Sequence, residues 1–534
     1  MSFSALLKNV DLSATPQTQP SPNAPTLQVR NNAGGFVFQI TPEKQLDRFL
    51  ILGTTGGTYY QTSKDLTREN VLSLKDLIHD RGAYVVQRVV EISTEGRARN
   101  NDYALFVLAM CMTHGDTFTK AHVNSVLPYV ARTGTHIMHF VAFANDMRGW
   151  GSCLKKSVAR WYNSKSPADL AFQAIKYQSR DKWSQRDLLR LSHPKPTSVE
   201  QELVYKYIVK GADEVDLNLL PTIVSAYESA KTADTIELIQ LITDFRLSHE
   251  MIPTESRSHP AVWRALLPNM GATALIRNLN KMTAVGVIVP LSEASQFVCG
   301  RLRDEEWIKK ARLHPLQLLT AMKIYASGQG DKGILRWNPD QNVVAALEDA
   351  FYISFKSTEP SGKRRFMAID VSASMNAPLS GAPALTCREA AAVMAMVSLR
   401  SESNSVIYGF DHTFRDLGIT RNDSLAMVIA KTYSTRFSAT DCAVPMLHAI
   451  VDGLLVDQFE IYTDNETFYG RVHPFEALKA YRISSGIANA KLAVVSMTAN
   501  EFSIANPTDE NMIDLVGFDT HTPAVLSEFA SGNL

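Results

Sequence analysis

From about residue 40 to residue 350 the apolar positions recur every three or four residues, as at Leu46, Phe49 and Leu50 and again at Leu72, Leu74, Leu77 and Ile78. That spacing gives a helix one face to bury. Thr41-Pro42-Glu43 and Ser166-Pro167 place a capping side chain ahead of a proline suited to the first helical turn. Alternating, strand-like runs are scarce. The pattern predicts an all-α array of stacked helix pairs of the α-solenoid type over residues 29–360, though no strict repeat period accompanies it. Residues 13–26 are rich in Pro, Thr, Gln and Asn with little to bury, so residues 1–28 are expected to be a flexible tail.

The rhythm changes near residue 360, after the linker-like stretch Ser357–Lys363. Short apolar runs ending in polar residues follow: Phe366–Asp370, Val406–Asp411, Phe459–Asp464, Lys491–Met497 and Ile513–Phe518. Helical stretches lie between them, at Arg388–Arg400, Ala443–Leu455 and Pro474–Ile483. Strands alternating with helices predict a doubly wound α/β domain of the Rossmann-like kind over residues 361–534, with ligands at the carboxyl ends of its strands.

Three polar loops belong at that edge. Asp370-Val-Ser372-Ala-Ser374 follows the first strand, Phe437-Ser-Ala-Thr440-Asp441 precedes a helix, and Tyr462-Thr-Asp464-Asn-Glu466 ends another strand. Hydroxyls and carboxylates are hard oxygen donors, suited to Mg²⁺, Mn²⁺ or Ca²⁺. An aspartyl-phosphate nucleophile at Asp370 is disfavoured, because no second acid stands two residues on. Gly53–Tyr60 is glycine-rich but lacks the Lys-Ser/Thr ending of a phosphate loop, and reads as a tight interhelical turn.

Charge sharpens this division. Lys+Arg and Asp+Glu are both 54, a formal net charge of zero. Residues 361–534 nevertheless carry 13 basic and 19 acidic side chains, leaving +6 on residues 1–360. Residues 148–195 hold 11 basic side chains against three acids. They include Lys155, Lys156 and Arg160. Lys176 and Arg180 fall four apart on the helix opened by Ser166-Pro167. Arg186, Arg190 and His193 share a face of the helix opened by the capping box Ser184–Asp187. Such a face is either solvated surface or a track for a phosphate backbone. The interleaved aromatics Trp150, Trp161, Tyr162, Phe172, Tyr177 and Trp183 fit a helix core better than stacking platforms. Five dispersed cysteines without a C-x-x-C pair indicate free thiols in a reducing compartment. With no signal peptide and no membrane-length apolar run, the expectation is a soluble, cytoplasmic protein with no membrane partner.

Longer motifs carry a resemblance. The C-terminal loops Asp370–Asn376, Thr440-Asp-Cys442 and Thr463–Thr467 resemble the von Willebrand factor A fold with its metal-ion-dependent adhesion site. Asp47-Arg-Phe-Leu50, Gly56–Tyr60, Trp161-Tyr-Asn163, Lys176–Arg180, Trp183–Pro196, Trp263–Leu267 and Leu275–Met282 resemble the TROVE module. Together they resemble the Ro ribonucleoprotein autoantigen family, with the features of a bacterial member. The resemblance implies a monomeric ring of HEAT-like repeats closed by the A-type domain. It implies direct metal ligation by Ser372, Ser374 and Thr440, with Asp370 and Asp464 acting partly through water. Ser438-Ala439 stands where relatives usually carry glycines. It also implies a non-enzyme that binds small noncoding Y RNA on an outer basic surface, at Lys176, Arg180 and His193. Single-stranded 3′ ends of misfolded RNAs would enter a central hole. RNA quality control, stress survival and tethering of a 3′→5′ exoribonuclease such as polynucleotide phosphorylase follow from the same likeness. The alternative is a metal-dependent protein-interaction scaffold with RNA secondary.

Overall fold

The computed structural model describes residues 15–534 except 56, 331–333, 356–358, 381 and 434–437. The first fourteen residues of the expected tail, Gly56, the linker residues Ser357 and Thr358, and Phe437 lie outside the described residues.

Residues 42–353 are helices joined by short loops. The caps act where the sequence places them. Thr41 accepts from Lys44 N–H ahead of the helix Pro42–Ile51, and Ser166 accepts from Asp169 N–H ahead of Pro167–Lys176. Ser184 and Asp187 close a full capping box. The longest helix, Ser63–Glu95, kinks at Arg81, where φ is −140°. Among the described residues no helix is long and apolar enough to cross a membrane.

The strands, in chain order, begin with β1 (Gln28–Arg30) and β2 (Phe36–Gln39), followed by the two-residue pair β3 (Ser179–Arg180) and β4 (Trp183–Ser184). The C-terminal domain contributes β5 (Arg365–Asp370), β6 (Pro378–Leu379), β7 (Ala382–Thr386), β8 (Ser405–Phe410) and β9 (Phe414–Arg415). It continues with β10 (Gln458–Thr463), β11 (Lys491–Ser496), β12 (Phe502–Ser503) and β13 (Met512–Val516). Its main sheet has the order β13-β11-β10-β5-β8-β9, parallel except for β9. Alternation sorts the side chains by face. Phe366, Ala368, Phe459 and Ile461 pack on one side with the helices Val444–Val451 and Pro474–Ser485. Met367, Ile369 and Tyr462 pack on the other, in a core continuous with the helical part. Between sheet and helical part lies the helix Cys387–Ser401, buried at every position from Cys387 to Leu399. Its Ala, Val and Met positions run round the whole helix, so it has to be enclosed on all sides, and the buried Glu389 is met by Lys323.

Residues 15–28 depart from the expected tail. Gln17 is fully buried; its amide donates to Asp441 Oδ1 at 2.8 Å and Val472 O at 2.7 Å and accepts from Thr467 Oγ1. Ser21 donates to Glu476 at 2.9 Å, and β2 pairs with both β1 and β12. These residues form a strap across the C-terminal domain. Their composition misleads because backbone pairing and saturated amides hold the segment, not apolar side chains.

Both ends of the helical array dock on the C-terminal domain. Arg48 enters it with no exposed surface. It donates to Asn500 O at 2.7 Å, Asn500 Oδ1 at 2.8 Å, Phe502 O at 2.9 Å and Ser496 Oγ at 2.6 Å, and pairs with Asp514 at 2.6 Å. Arg97 grips Asp519 at 2.6 Å. From the far end, Lys323 meets Glu389 at 2.9 Å, and the buried His314 imidazole bridges Arg97 O and Phe518 O at 3.1 and 2.9 Å. Gln317 joins the two ends directly by donating to Arg99 O at 3.0 Å. The array is thereby closed into a ring.

Truncating one partner of a buried pair leaves an uncompensated charge. Arg48→Leu is therefore expected to destabilise the protein by about 3–5 kcal/mol in urea titration. Adding Asp514→Leu should return part of the loss; a double variant no better than the single would refute charge pairing as the source.

Candidate nucleic-acid interface and hydroxyl–carboxylate site

Inside the ring is a cavity of about 780 Å³ lined by residues from Leu50 to Tyr325. Arg99, Arg132, Arg180, Arg277 and Arg312 face it with His136 and His139, and Asp102 is the acid among the lining residues. The arginines repel one another. Burial and Arg312 push Arg132 down to about 10, and burial and Arg277 lower Arg99, whose Nε has no partner among the described residues. Cationic groups held apart from counterions in a concave wall make an anion site. Arg99, Arg132 and Arg312 sit in loops or at helix ends between successive helices, and Arg180 sits on the short strand β3.

The basic segment divides between two places. Lys155, Lys156 and Arg160 on the helix Ser152–Asn163 are exposed, as are Arg186 and Arg190 on Gln185–Ser192, against which the first helix packs. None of these five makes an ion pair among the described residues. His193, exposed, caps that second helix in the left-handed region at φ 48° rather than continuing its face. The helix expected to carry both Lys176 and Arg180 ends at Lys176, because Tyr177 leaves helical geometry. Lys176 turns to Glu250 at 4.0 Å and lies 5.5 Å from the Phe172 and Tyr177 rings, whereas Arg180, on β3, points into the ring cavity. Trp161 and Tyr162 are buried core, and Trp150 and Trp183 stack at 5.4 Å.

The second site lies at the carboxyl edge of β5 and β10. Asp370 Oδ1 accepts from Ser372 N–H at 2.9 Å and Oδ2 from Thr463 Oγ1–H at 2.7 Å. Ser372 Oγ and Ser374 Oγ are 3.2 Å apart, and Asp464 Oδ1 accepts from Glu466 N–H at 3.1 Å. The Ser438–Thr440 turn reaches this edge through Ala373 N–H to Ser438 O at 3.3 Å, and Thr440 is buried. Burial raises Asp370 to about 6 and Glu466 to about 7. Burial, with repulsion from Asp370 and Glu466, raises Asp464 well above the carboxylate range. None of the three has an ion-pair partner among the described residues. Two adjacent hydroxyls beside unneutralised, buried carboxylates fit a hard divalent cation. Among the described residues no cluster of three His, Cys, Asp or Glu side chains is spaced for a metal, so hydroxyls are needed to complete the set.

Two other segments press on this edge. Asn32 Nδ2 and Ala33 N–H in the strap donate to Glu466 at 2.8 and 2.9 Å. From the interhelical turn after Gly53, Tyr60 feels Asp464, Glu466 and Asp370, which join burial in raising its hydroxyl.

The TROVE domain profile matches residues 29–249 and 246–324, and the Ro60 vWA domain profile matches residues 364–530. The chain belongs to the Ro60 family. It is 40% identical over 533 residues to the RNA-binding protein RO60 of Deinococcus radiodurans, covering 99% of each chain. It is 35% identical over 585 residues to that of Caenorhabditis elegans, covering 95% of this chain and 90% of the other. The crystal structure of the Deinococcus radiodurans RO (RSR) protein matches with a TM-score of 0.68 at 38% identity, over 92% of this chain and all of that one. Against this Ro60 background the arginines of the ring cavity stand out as missed by sequence reasoning. Arg99, Arg132, Arg277 and Arg312 are scattered singly, and local charge density cannot find them. The available signal is the place of Arg99, Arg132 and Arg312 beside helix boundaries; Arg277, inside the helix Ala272–Ala284, has no such mark.

Proposed function

We propose that this Ro60-family chain is a non-catalytic RNA-binding scaffold. Small noncoding Y RNA lies on the outer face carrying Lys155, Lys156, Arg160, Arg186, Arg190 and His193, with Lys176 and Arg180 at its inner margin. Single-stranded ends of misfolded RNA enter the ring. The observation that carries this reading is the cavity with five arginines and one acid, in a family whose named members are RNA-binding proteins. A single strand offers phosphates without the girth of a duplex, matching an enclosed, cationic hole. Roles in RNA quality control and stress survival, and a tethered 3′→5′ exoribonuclease such as polynucleotide phosphorylase, extend the reading. So does a cytoplasmic monomer.

The hydroxyl–carboxylate edge is proposed to hold Mg²⁺, or Mn²⁺ or Ca²⁺, through Ser372, Ser374 and Thr440, with Asp370 and Asp464 in support. Bound there, the cation would supply positive charge for an outside carboxylate or phosphate. The chain's own residues orient the donors: Thr463 fixes Asp370, and Asn500 Nδ2 holds Asp464 O at 2.6 Å.

Purified protein should carry a discrete small RNA and a high 260 nm absorbance; RNA-free protein that binds no added RNA would end the scaffold reading. Replacing Arg186 and Arg190 with alanine should flatten the log-affinity against log-salt slope for a structured RNA by about 1–2 units, since each phosphate contact contributes roughly 0.9. An unchanged slope would remove that face from the interface. Mg²⁺ at a hundredfold excess over its Kd should stabilise the protein by about 2.7 kcal/mol in thermal unfolding. Ser372→Ala with Ser374→Ala should abolish the shift. Equal stability in Mg²⁺ and in chelator would exclude the metal.

A further inference from the structure

A second cavity, of about 740 Å³, opens on the helical part and is lined by His249, Thr254, Glu255, Arg257, Ser258, Trp263, Asn278 and Lys281. One helix stands between it and the ring cavity. The helix Ala272–Ala284 sends Arg277 and Asn280 into one and Asn278 and Lys281 into the other.

The lining has two chemistries. His249 lies against Trp263 with centroids 6.2 Å apart and planes inclined at 29°. Trp263 is almost wholly buried, and its Nε1–H is fixed on Arg257 O at 2.7 Å, so it backs the imidazole rigidly and leaves His249 as the ring available to a ligand. Burial lowers the His249 pKa; Glu250 opposes this, and Arg257 and Lys176 add to it. His249 Nδ1 lies 3.1 Å from Glu250 Oε2, which ties the edge of the ring and leaves stacking to its face. Around it, Arg257 donates one Nη to Ile252 O at 3.2 Å while its Nε has no partner among the described residues. Lys281 makes no ion pair among them. Asn278 donates to Ala274 O, which leaves its Oδ1 to accept. Glu255 is the acid on the lining.

We propose that this cavity binds one nucleotide of a single-stranded RNA, with its base stacked on His249 and its phosphate between Arg257 and Lys281. The volume falls within the roughly 300–1,000 Å³ of small-ligand pockets. A ring face beside two cations matches the base and phosphate of one nucleotide, and stacking tolerates any base. The site rests on the RNA-binding reading above and adds a subsite to it, a place where the strand is gripped outside the ring cavity.

The test uses full-length protein stripped of copurifying RNA and a fluorescein-labelled ten-residue oligouridylate with a free 3′ end. His249→Ala and Lys281→Ala should each weaken binding about tenfold. His249→Phe, which keeps the ring, should bind within about twofold of the unaltered protein. All variants are compared at matched thermal midpoints. If His249→Ala binds as tightly as the unaltered protein while Arg132→Ala with Arg277→Ala loses the oligonucleotide, the subsite falls and the ring reading stands. If His249→Ala and His249→Phe weaken binding equally, the ring serves packing and the subsite is refuted. If the unaltered protein fails to bind, both readings fall together.

Discussion

Arg48 is a guanidinium carried out of water, and the joint between the helical array and the C-terminal domain is built around it. Moving such a charge inside costs several kcal/mol unless its donors are met. Here Asp514 supplies the countercharge, and two carbonyls, one side-chain amide oxygen and one hydroxyl accept from the two Nη groups, while Nε has no partner among the described residues. The acceptors come from the segment Ser496–Phe502 and from β13, so the geometry exists only after β11 and β13 have paired. The lock thereby joins the sheet to the ring. Asn500 carries the connection onward, since the residue that accepts from Arg48 also holds Asp464 O. Closure of the ring and the order of the hydroxyl–carboxylate edge share one asparagine.

Charge is distributed by the same logic of compensation and its absence. At the ring seam Arg97 meets Asp519 and Lys323 meets Glu389. In the domain core Arg365 lies between Glu402 and Glu460 without exposure. These pairs are structural. The five cavity arginines at one place, and Asp370, Asp464 and Glu466 at another, are left with like-charged neighbours. Groups perturbed by burial and by neighbours of their own sign, as Arg99 and Arg132 are at one place and Asp464 at the other, are candidates for ligand contacts.

Much of the fold was legible because the C-terminal strands are short apolar runs with polar ends. β5, β8, β10, β11 and β13 fall within one or two residues of Phe366–Asp370, Val406–Asp411, Phe459–Asp464, Lys491–Met497 and Ile513–Phe518. The cap residues Thr41, Ser166 and Ser184 were equally readable, because a cap is a local interaction. Long-range partnerships were not. Nothing in Gln17 or Ser21 announces Asp441 and Glu476, more than four hundred residues away. The loops of the hydroxyl–carboxylate edge were legible because strand ends converge in a parallel sheet, but the approach of Tyr60 was not, since it comes from a different part of the chain. Lys176 and Arg180 were assigned one helix face because helical spacing continues on paper past Tyr177. The chain turns there, and the two cations part.

The strap imposes an order on synthesis. Residues 15–39 find their partners in residues 440–505, and Arg48 finds its own in residues 496–514. At about 5–20 residues per second, the first forty residues wait roughly half a minute or more on the ribosome before those partners emerge. A nascent chain can stack its helices during that time, but it has no closed hole and no seat for its own beginning. A closed hole is therefore a property of the finished molecule alone.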